Sequence, residues 1–211
     1  MIVALENASS DPSIALAAPD GSLLAIDGWS GGVRQGSDLL PRLLALLERE
    51  GLQLRQATAL AVGIGPGSFT GLRVALSLAK GLVLALEVPV VGIPSLHAWL
   101  AAEPTAVAAT SRAGARDGFL LFHEEADPRI VPIGELTTII GGRRVVAPAE
   151  LAAAASLDDS IRPDRAAAAV AEAAAVRLAT EPMGDDPERL EPSYLRAPPG
   201  IGPATEVVAW P

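Results

Sequence analysis

The sequence predicts an α/β fold in which a mixed five-stranded sheet carries helices on its faces. The N-terminal part contains three short apolar runs, and a Pro-Asp-Gly turn at 19–21 joins the second to the third, which is typical of a β-hairpin. Two later apolar runs, Ala59–Gly63 and Val88–Ile93, show no polar alternation, as expected of strands buried on both faces. Helical segments separate these runs, and right-handed β-α-β connections would make the strands parallel.

The predicted elements of this first part, residues 1–102, follow one another closely. We predict strands at Ile2–Leu5, Ser13–Ala18, Ser22–Ile26, Ala59–Gly63 and Val88–Ile93, and helices at Asp38–Glu50, Thr70–Leu86 and Pro94–Glu103. Ser37 or Asp38 can cap the first helix, and Gly51 suits its end. This order of strands and helices is that of the half-unit of ribonuclease-H-like and actin-like folds, and it carries no function by itself.

Residues 103–163 are predicted to form a smaller, degenerate second subdomain. Its predicted strands lie at 105–110, 117–123, 129–133 and 136–140, and a helix lies at 148–156. An alanine-rich helix at Asp164–Ala179 needs little packing to form, and we expect 164–196 to pack back on the first subdomain. Residues 197–211 contain four prolines and two glycines, so a disordered tail is predicted.

Composition excludes several classes of protein. The chain has 211 residues, a net charge of −9, no cysteine and two histidines, which rules out disulfides and cysteine zinc sites and disfavours non-specific nucleic-acid binding. The first residues lack the features of a signal peptide. The longest nearly apolar stretch, Val74–Pro89, is interrupted by Lys80 and Glu87. A soluble cytoplasmic protein without a membrane span is therefore expected.

A glycine-rich stretch, GIGPGSFTG at 63–71, lies between a predicted strand and a predicted helix. A P-loop would need a Gly-Lys pair, and the chain has none. The dinucleotide motif G-x-G-x-x-G would need glycine where Ser68 or Thr70 stands. The helix N-terminus could still bind an anion. The alternative is a structural turn, capped by Ser68 or Thr70, that comprises Gly65, Pro66, Gly67, Ser68 and Thr70.

The helices at Asp38–Glu50 and Thr70–Leu86 carry more apolar surface than one sheet face requires. On the second helix, only a narrow stripe of Arg73, Ser77 and Lys80 is polar, whereas a surface helix normally has a broad polar face. Such surplus indicates either a protein–protein interface or burial within the chain's own domain. The predicted interface comprises Leu39, Leu43, Leu46, Gly71, Leu72, Val74, Ala75, Leu78 and Leu82.

The stretch GPGSFTGLR at 65–73, with AKGL after it, closely resembles the signature of the TsaB (YeaZ) family. Other segments resemble that family in the same order, although each is weak alone: IVALENASSDPSIAL at the start, DLLPRLLALLEREG, VPVVGIPSLHAW and PSYLR at 192–196. Residues 105–185 match only in outline. The resemblance implies an actin-like (ASKHA) fold with two subdomains.

The resemblance also implies a function and partners. TsaB is a non-catalytic partner of TsaD, which transfers the threonylcarbamoyl group to adenosine 37 of tRNAs reading ANN codons, and the ATPase TsaE joins them. The family's partner-binding helices correspond here to Asp38–Glu50 and Thr70–Leu86, which are also expected to pair two copies when TsaD is absent. The resemblance implies no cofactor for this chain, because any ATP belongs to the partner complex. We expect tRNA to be contacted only through that complex.

Three departures from the family pattern weaken any nucleotide site. Glu6-Asn7-Ala8-Ser9 stands where the family usually has an Asp-Thr-Ser-like run, and Thr110-Ser111-Arg112 replaces an acidic strand end. A histidine that often precedes the first helix is absent from GSDLLP. In nucleotide-binding relatives an aspartate at the first of these positions helps to hold metal and phosphate. The losses suit a pseudo-enzyme that keeps the fold and the interface.

Candidate catalytic chemistry is sparse, and we predict no catalytic, metal or cofactor residue. His97 and His123 are 26 positions apart and do not form the H-x-x-x-H pair of the catalytic paralogue. Ser68 is not in a G-x-S-x-G motif, so a hydrolase triad is poorly supported. The alternative function is a stand-alone sugar or acetate kinase-like enzyme. It would need an acidic metal site in the first turn, where only Glu6 is available, and a second phosphate loop.

Overall fold

The structure, a computed structural model, describes residues 1–30 and 37–195. The predicted tail at 197–211 and Arg196 of the PSYLR segment lie outside the described residues. The first part of the chain contains β1 Ile2–Glu6, β2 Ser13–Ala17, β3 Leu23–Gly28, α1 Leu39–Arg49, β4 Ala59–Gly63, α2 Phe69–Leu86, β5 Val90–Ile93 and α3 Ser95–Ala102. The second part contains β6 Ala108–Arg112, β7 Asp117–Phe122, β8 Arg129–Pro132, α4 Leu136–Ile140, β9 Val145–Val146, α5 Ala149–Ala154, β10 Ser160–Ile161 and α6 Ala166–Thr180.

The predicted mixed five-stranded sheet is confirmed. Its strand order is β3-β2-β1-β4-β5. The pairs β1–β2 and β2–β3 are antiparallel, whereas the pairs β1–β4 and β4–β5 are parallel. A second five-stranded sheet has the order β10-β9-β6-β7-β8. Its strands β9 and β10 have two residues each, too few for a periodic pattern to reveal them in the sequence.

Helices cover both faces of the first sheet. On one face, α1 and α2 pack against the sheet in a core that contains Leu43, Leu60 and Ala75. On the other face, α6 packs through alanines such as Ala171 and Ala174. Small side chains on both the helix and the strands allow the helix to lie close to the sheet. This is how a chain with 3% aromatic residues builds a dense core.

The predicted strand at 136–140 is wrong, because the segment LTTII forms the short helix α4. The β-branched residues favoured a strand. However, Leu136 and Ile140 are four residues apart and are both buried in the second subdomain's core, a spacing that places them on one helix face. Gly141 ends the helix with a left-handed conformation at φ 69°. Tertiary burial therefore overrides local propensity here.

Helix α2 is long and apolar enough to cross a membrane by length and composition. The core helix of a globular domain passes the same test. In the structure, Ala75, Leu76 and Ala79 are buried against the first sheet, and Leu72 is buried in a second cluster with Leu96 and Trp99. This helix is accounted for as a core element of the first subdomain.

The segment after α6 is attached to the first sheet. Asp185 accepts a 2.7 Å hydrogen bond from the backbone N–H of Gly92 and pairs with Arg177 at 2.8 Å. Burial alone would raise the pKa of Asp185, but Arg177 and the Gly92 N–H together lower it. Further along, the N–H of Ser193 donates to the carbonyl oxygen of Ile64 at 2.7 Å. The segment up to Tyr194 therefore lies beside the start of α2.

Candidate functional site

The turn that precedes α2 packs directly against the turn that follows β1. The backbone N–H of Ser68 donates a 2.7 Å hydrogen bond to the carbonyl oxygen of Ala8. The side-chain amide of Asn7 donates to the carbonyl oxygen of Gly71 at 2.9 Å. The N-terminus of α2 is therefore fixed to the end of the first strand by main-chain contact.

The glycines of this turn make the close approach possible. A Cβ atom on Gly67 would overlap the carbonyl oxygen of Ala8, and one on Gly71 would overlap the carbonyl oxygen of Asn7. Gly65 has φ +96°, a conformation that side chains rarely adopt. Gly65 thus serves backbone conformation, while Gly67 and Gly71 serve close packing. This arrangement favours the structural turn over a phosphate loop.

Ser68 caps α2, as one of the two sequence alternatives predicted. Its Oγ accepts a 3.2 Å hydrogen bond from the N–H of Gly71, which satisfies one of the amides that a helix N-terminus leaves free. Thr70 instead lies exposed in the first helical turn. For α1, Asp38 occupies the N-cap position but its side chain makes no capping hydrogen bond.

The same turn also contacts the second subdomain and α3. The carbonyl oxygen of Pro66 accepts a 3.1 Å hydrogen bond from the buried hydroxyl of Ser111. The N–H of Gly65 donates to the hydroxyl of Ser95 at 3.0 Å. Thr110 donates to the carbonyl oxygen of Phe119 at 2.8 Å. Thr110 and Ser111, which stand where the family is expected to have an acidic strand end, therefore make structural hydrogen bonds.

Glu6 is buried at the end of β1, where the family usually has aspartate. Its carboxylate accepts a 2.8 Å hydrogen bond from the N–H of Ala8. Burial raises the pKa of Glu6 to about 7, and the hydrogen bond from the N–H of Ala8 counters this only in part. The Glu6 side chain is 1% exposed, so it is packed inside the turn and does not face an open cleft.

The structure corrects six residues of the predicted interface. These six are buried in the chain's own core, so they cannot contact a partner in this conformation: Leu39, Leu43, Leu46, Gly71, Leu72 and Ala75. Val74, Leu78 and Leu82 are half-buried and pack on the edge of that core. Most of the buried apolar surface of α1 and α2 therefore packs against the first sheet.

Other leucines of the same helices face outward. Leu40 and Leu44 on α1 are 39% and 48% exposed, and Leu84 on α2 is 80% exposed. These three exposed leucines and the half-buried Val74 and Leu78 are apolar residues of α1 and α2 that a partner could reach. We call them the outer leucine set: Leu40, Leu44, Val74, Leu78 and Leu84. The predicted interface contains the inward stripe of α1 instead, because the sequence does not show which of two adjacent leucine stripes meets the sheet.

The histidines are not part of a metal site within residues 1–30 and 37–195. In these ranges, no group of three or more His, Cys, Asp or Glu side chains is arranged to hold a metal ion. His97 lies near the surface, with its Nε2 3.0 Å from the carbonyl oxygen of Ala126.

The chain has two α/β subdomains, each built on a five-stranded sheet, and the glycine turn before α2 contacts both of them. This arrangement defines a protein of the actin-like class. A family model described as TsaD, tRNA N6-adenosine threonylcarbamoyltransferase, matches residues 35–183. YeaZ from Pseudomonas aeruginosa has the same fold, with a TM-score of 0.65, 20% sequence identity and coverage of 92% of this chain and 99% of that one. The chain belongs to the TsaD family, and its relatives place it with the TsaB (YeaZ) members.

The curated relatives match over a short segment. The TsaB protein of Escherichia coli (strain K12) is 43% identical over 58 residues, and that of Haemophilus influenzae (strain ATCC 51907 / DSM 11121 / KW20 / Rd) is 47% identical over 60 residues. Each match covers 28% of this chain and 25% of the relative. The matched segment therefore spans about a quarter of the length of these relatives.

Proposed function

We propose that the chain is a non-catalytic subunit of the complex that forms N6-threonylcarbamoyladenosine at position 37 of tRNAs reading ANN codons. It acts by binding TsaD, which carries out the transfer. Both curated relatives named above are called tRNA threonylcarbamoyladenosine biosynthesis proteins, which supports the pathway. The division of labour between the subunits is argued from the residues of this chain.

The closed turn before α2 is the observation that carries the non-catalytic role. A phosphate-binding loop needs backbone N–H groups that are free to face the phosphate. Here the backbone of Gly67 and Ser68 packs on that of Ala8, and Ser111 of the second subdomain bonds to Pro66. Main-chain contact thus fills the place where a phosphate would approach, which supports a scaffold rather than a kinase.

The outer leucine set supports a role in association. Helices α1 and α2 cover one face of the first sheet, and each exposes leucine side chains on its outer side; exposed apolar surface is a mark of protein–protein contact. We assign this surface to TsaD and, when TsaD is absent, to a second copy of the chain. TsaE and ATP then belong to the assembled complex, and the chain works in the cytoplasm, where tRNA modification takes place.

The test is a reconstituted modification assay with this chain, TsaD, TsaE, ATP, a threonylcarbamoyl donor and unmodified tRNA. The complete mixture should form threonylcarbamoyladenosine, and omission of this chain should reduce formation to the background of TsaD alone. The chain without TsaD should form none. Turnover by this chain alone, or ATP-dependent phosphorylation of a sugar or acetate, would contradict the proposal and favour the kinase alternative.

A further inference from the structure

A groove runs along the polar stripe of α2, a feature that the proposed function leaves unused. The stripe residues Arg73, Ser77 and Lys80 form one wall, and the returning segment around Pro192 and Tyr194 forms the other. The groove has a volume of about 300 Å³. It is separate from the turn that closes the cleft and lies on the outer surface of the first subdomain.

Aromatic rings and a guanidinium are stacked at one end of this groove. The guanidinium of Arg73 lies 3.9 Å from the centroid of the Phe69 ring, and its Nε donates to the hydroxyl of Tyr194 at 3.2 Å. The rings of Phe69 and Tyr194 are 5.5 Å apart. Tyr194 remains 39% exposed, so one face of this cluster is open to a ligand.

Within the described part of the chain, no ion pair neutralises the cations of the groove. Among the described residues, neither Arg73 nor Lys80 forms a salt bridge, whereas arginines such as Arg42, Arg162 and Arg177 do. Lys80 is the only lysine of a chain with a net charge of −9. Glu191, an exposed residue, also lines the groove. The groove is therefore lined by two cations and one carboxylate, and its lining carries a net positive charge although the whole protein is acidic.

We propose that this groove binds the phosphate backbone of an RNA strand, with an unpaired base against Tyr194. Arg73 and Lys80 are seven residues apart, which is about 10.5 Å along the helix and places both on one side. They can therefore contact separate phosphates of one strand, with the Ser77 hydroxyl between them. Cations combined with an exposed aromatic ring are the usual means of holding single-stranded RNA. This inference rests on the proposed function. It replaces the expectation of purely indirect tRNA contact with a direct contact by this subunit.

The experiment measures the affinity of the complex of this chain with TsaD for an unmodified tRNA at several salt concentrations. Lys80→Glu should weaken binding roughly fivefold or more at about 100 mM salt and lower the salt slope by about one. Arg165→Glu is the matched control, because Arg165 is an exposed cation at the start of α6, on the opposite face of the first sheet. It should leave both quantities unchanged.

A second variant adds charge instead of removing it. Ser77 is exposed, so Ser77→Arg should fold normally and strengthen tRNA binding, with a steeper salt slope. Equal tRNA affinities for wild type, Lys80→Glu and Ser77→Arg would overturn the inference. So would a loss of TsaD affinity in Lys80→Glu with tRNA affinity unchanged, since the groove would then contact an acidic protein segment.

These outcomes are distinct from failure of the proposed function. Unchanged tRNA binding by the variants, in a complex that still forms threonylcarbamoyladenosine, would remove the groove's role and leave the scaffold role intact. A wild-type mixture that never modifies tRNA would reject the proposed function itself, and the inference with it.

Discussion

The backbone N–H of Ser68 donates a 2.7 Å hydrogen bond to the carbonyl oxygen of Ala8. Together with the hydrogen bond from Asn7 to Gly71, this contact joins the N-terminus of α2 to the turn after β1. It requires that position 67 carry no side chain, because a Cβ there would occupy the same space as the Ala8 carbonyl. The glycines of the signature are thus explained by packing, and the closed turn follows from them.

Substitution at Gly67 tests this packing. Gly67→Ala should lower the free energy of unfolding by about 1–3 kcal/mol, because the added methyl group forces the two turns apart. Gly81→Ala is the control, since Gly81 lies within α2 and a Cβ there meets nothing within 4 Å. That change should stabilise the protein by about 0.5–1 kcal/mol. Thermal and urea unfolding measure both, and equal effects of the two changes would contradict the packing argument.

Ala75→Arg should destabilise the chain itself. Ala75 is fully buried between α2 and the first sheet, so an arginine would be overpacked and would leave an unpaired charge in the core. A loss of about 4 kcal/mol or more is expected. Ser77→Arg, on the exposed side of the same helix, should change stability by no more than about 0.5 kcal/mol. A normal circular dichroism melt for Ala75→Arg would place this face at the surface after all.

Glu6 should make stability depend on pH between about 4.5 and 7. Its pKa is raised in the folded state from 4.5 to about 7, so the folded protein holds the proton to higher pH. The contribution of this group is therefore most favourable below pH 4.5, falls as pH rises, and is least favourable above about pH 7. The shift corresponds to about 3 kcal/mol.

Glu6→Gln removes this titration while keeping a side chain of similar shape. Relative to the wild type, the variant should gain stability from pH 5 to about pH 7 and level off by pH 8, because the amide never ionises. Urea unfolding at four pH values measures the difference. Parallel stability profiles for the two proteins would show that Glu6 does not titrate as its burial implies.

Asp185→Asn should loosen the returning segment without unfolding the sheet. Asp185 bonds both Arg177 and the N–H of Gly92, and the amide loses the charge that strengthens both bonds. A local loss of about 1 kcal/mol is expected, since the site is partly exposed. Hydrogen exchange at Gly92 and Ser193 should become faster. Asp186→Asn, at an exposed residue 3.9 Å from Arg189, should leave these rates unchanged.

Much of the first subdomain could be predicted because its signals are local. The buried runs at β1, β4 and β5 lack alternation, the β2–β3 turn carries a Pro-Asp-Gly sequence, and Ser68 stands where a cap is needed. Such signals depend on neighbours in the chain. In contrast, α4 and the two-residue strand β9 are determined by burial in the second core, which a short local pattern does not contain.

The candidate site was predicted only in part for the same reason. The sequence indicated which helices carry extra apolar surface, but not whether Leu43 or Leu44 faces the sheet, because both belong to a stripe with helical spacing. Likewise, the sequence showed that Gly67 and Gly71 matter. It did not show that their neighbours are Ala8 and Asn7, which are about 60 residues away in the chain.

The most direct test of the account is a calorimetric titration of this chain with TsaD. The wild type should bind, and Leu44→Arg should weaken binding at least roughly tenfold, because it places a charge in an apolar contact. Val176→Arg is the control, since Val176 is a 69% exposed apolar residue on α6, on the other face of the sheet. It should bind as the wild type does. Absence of binding by the wild type, or equal binding by Leu44→Arg, would contradict the claim that this chain acts through the outer leucine set as a partner of TsaD.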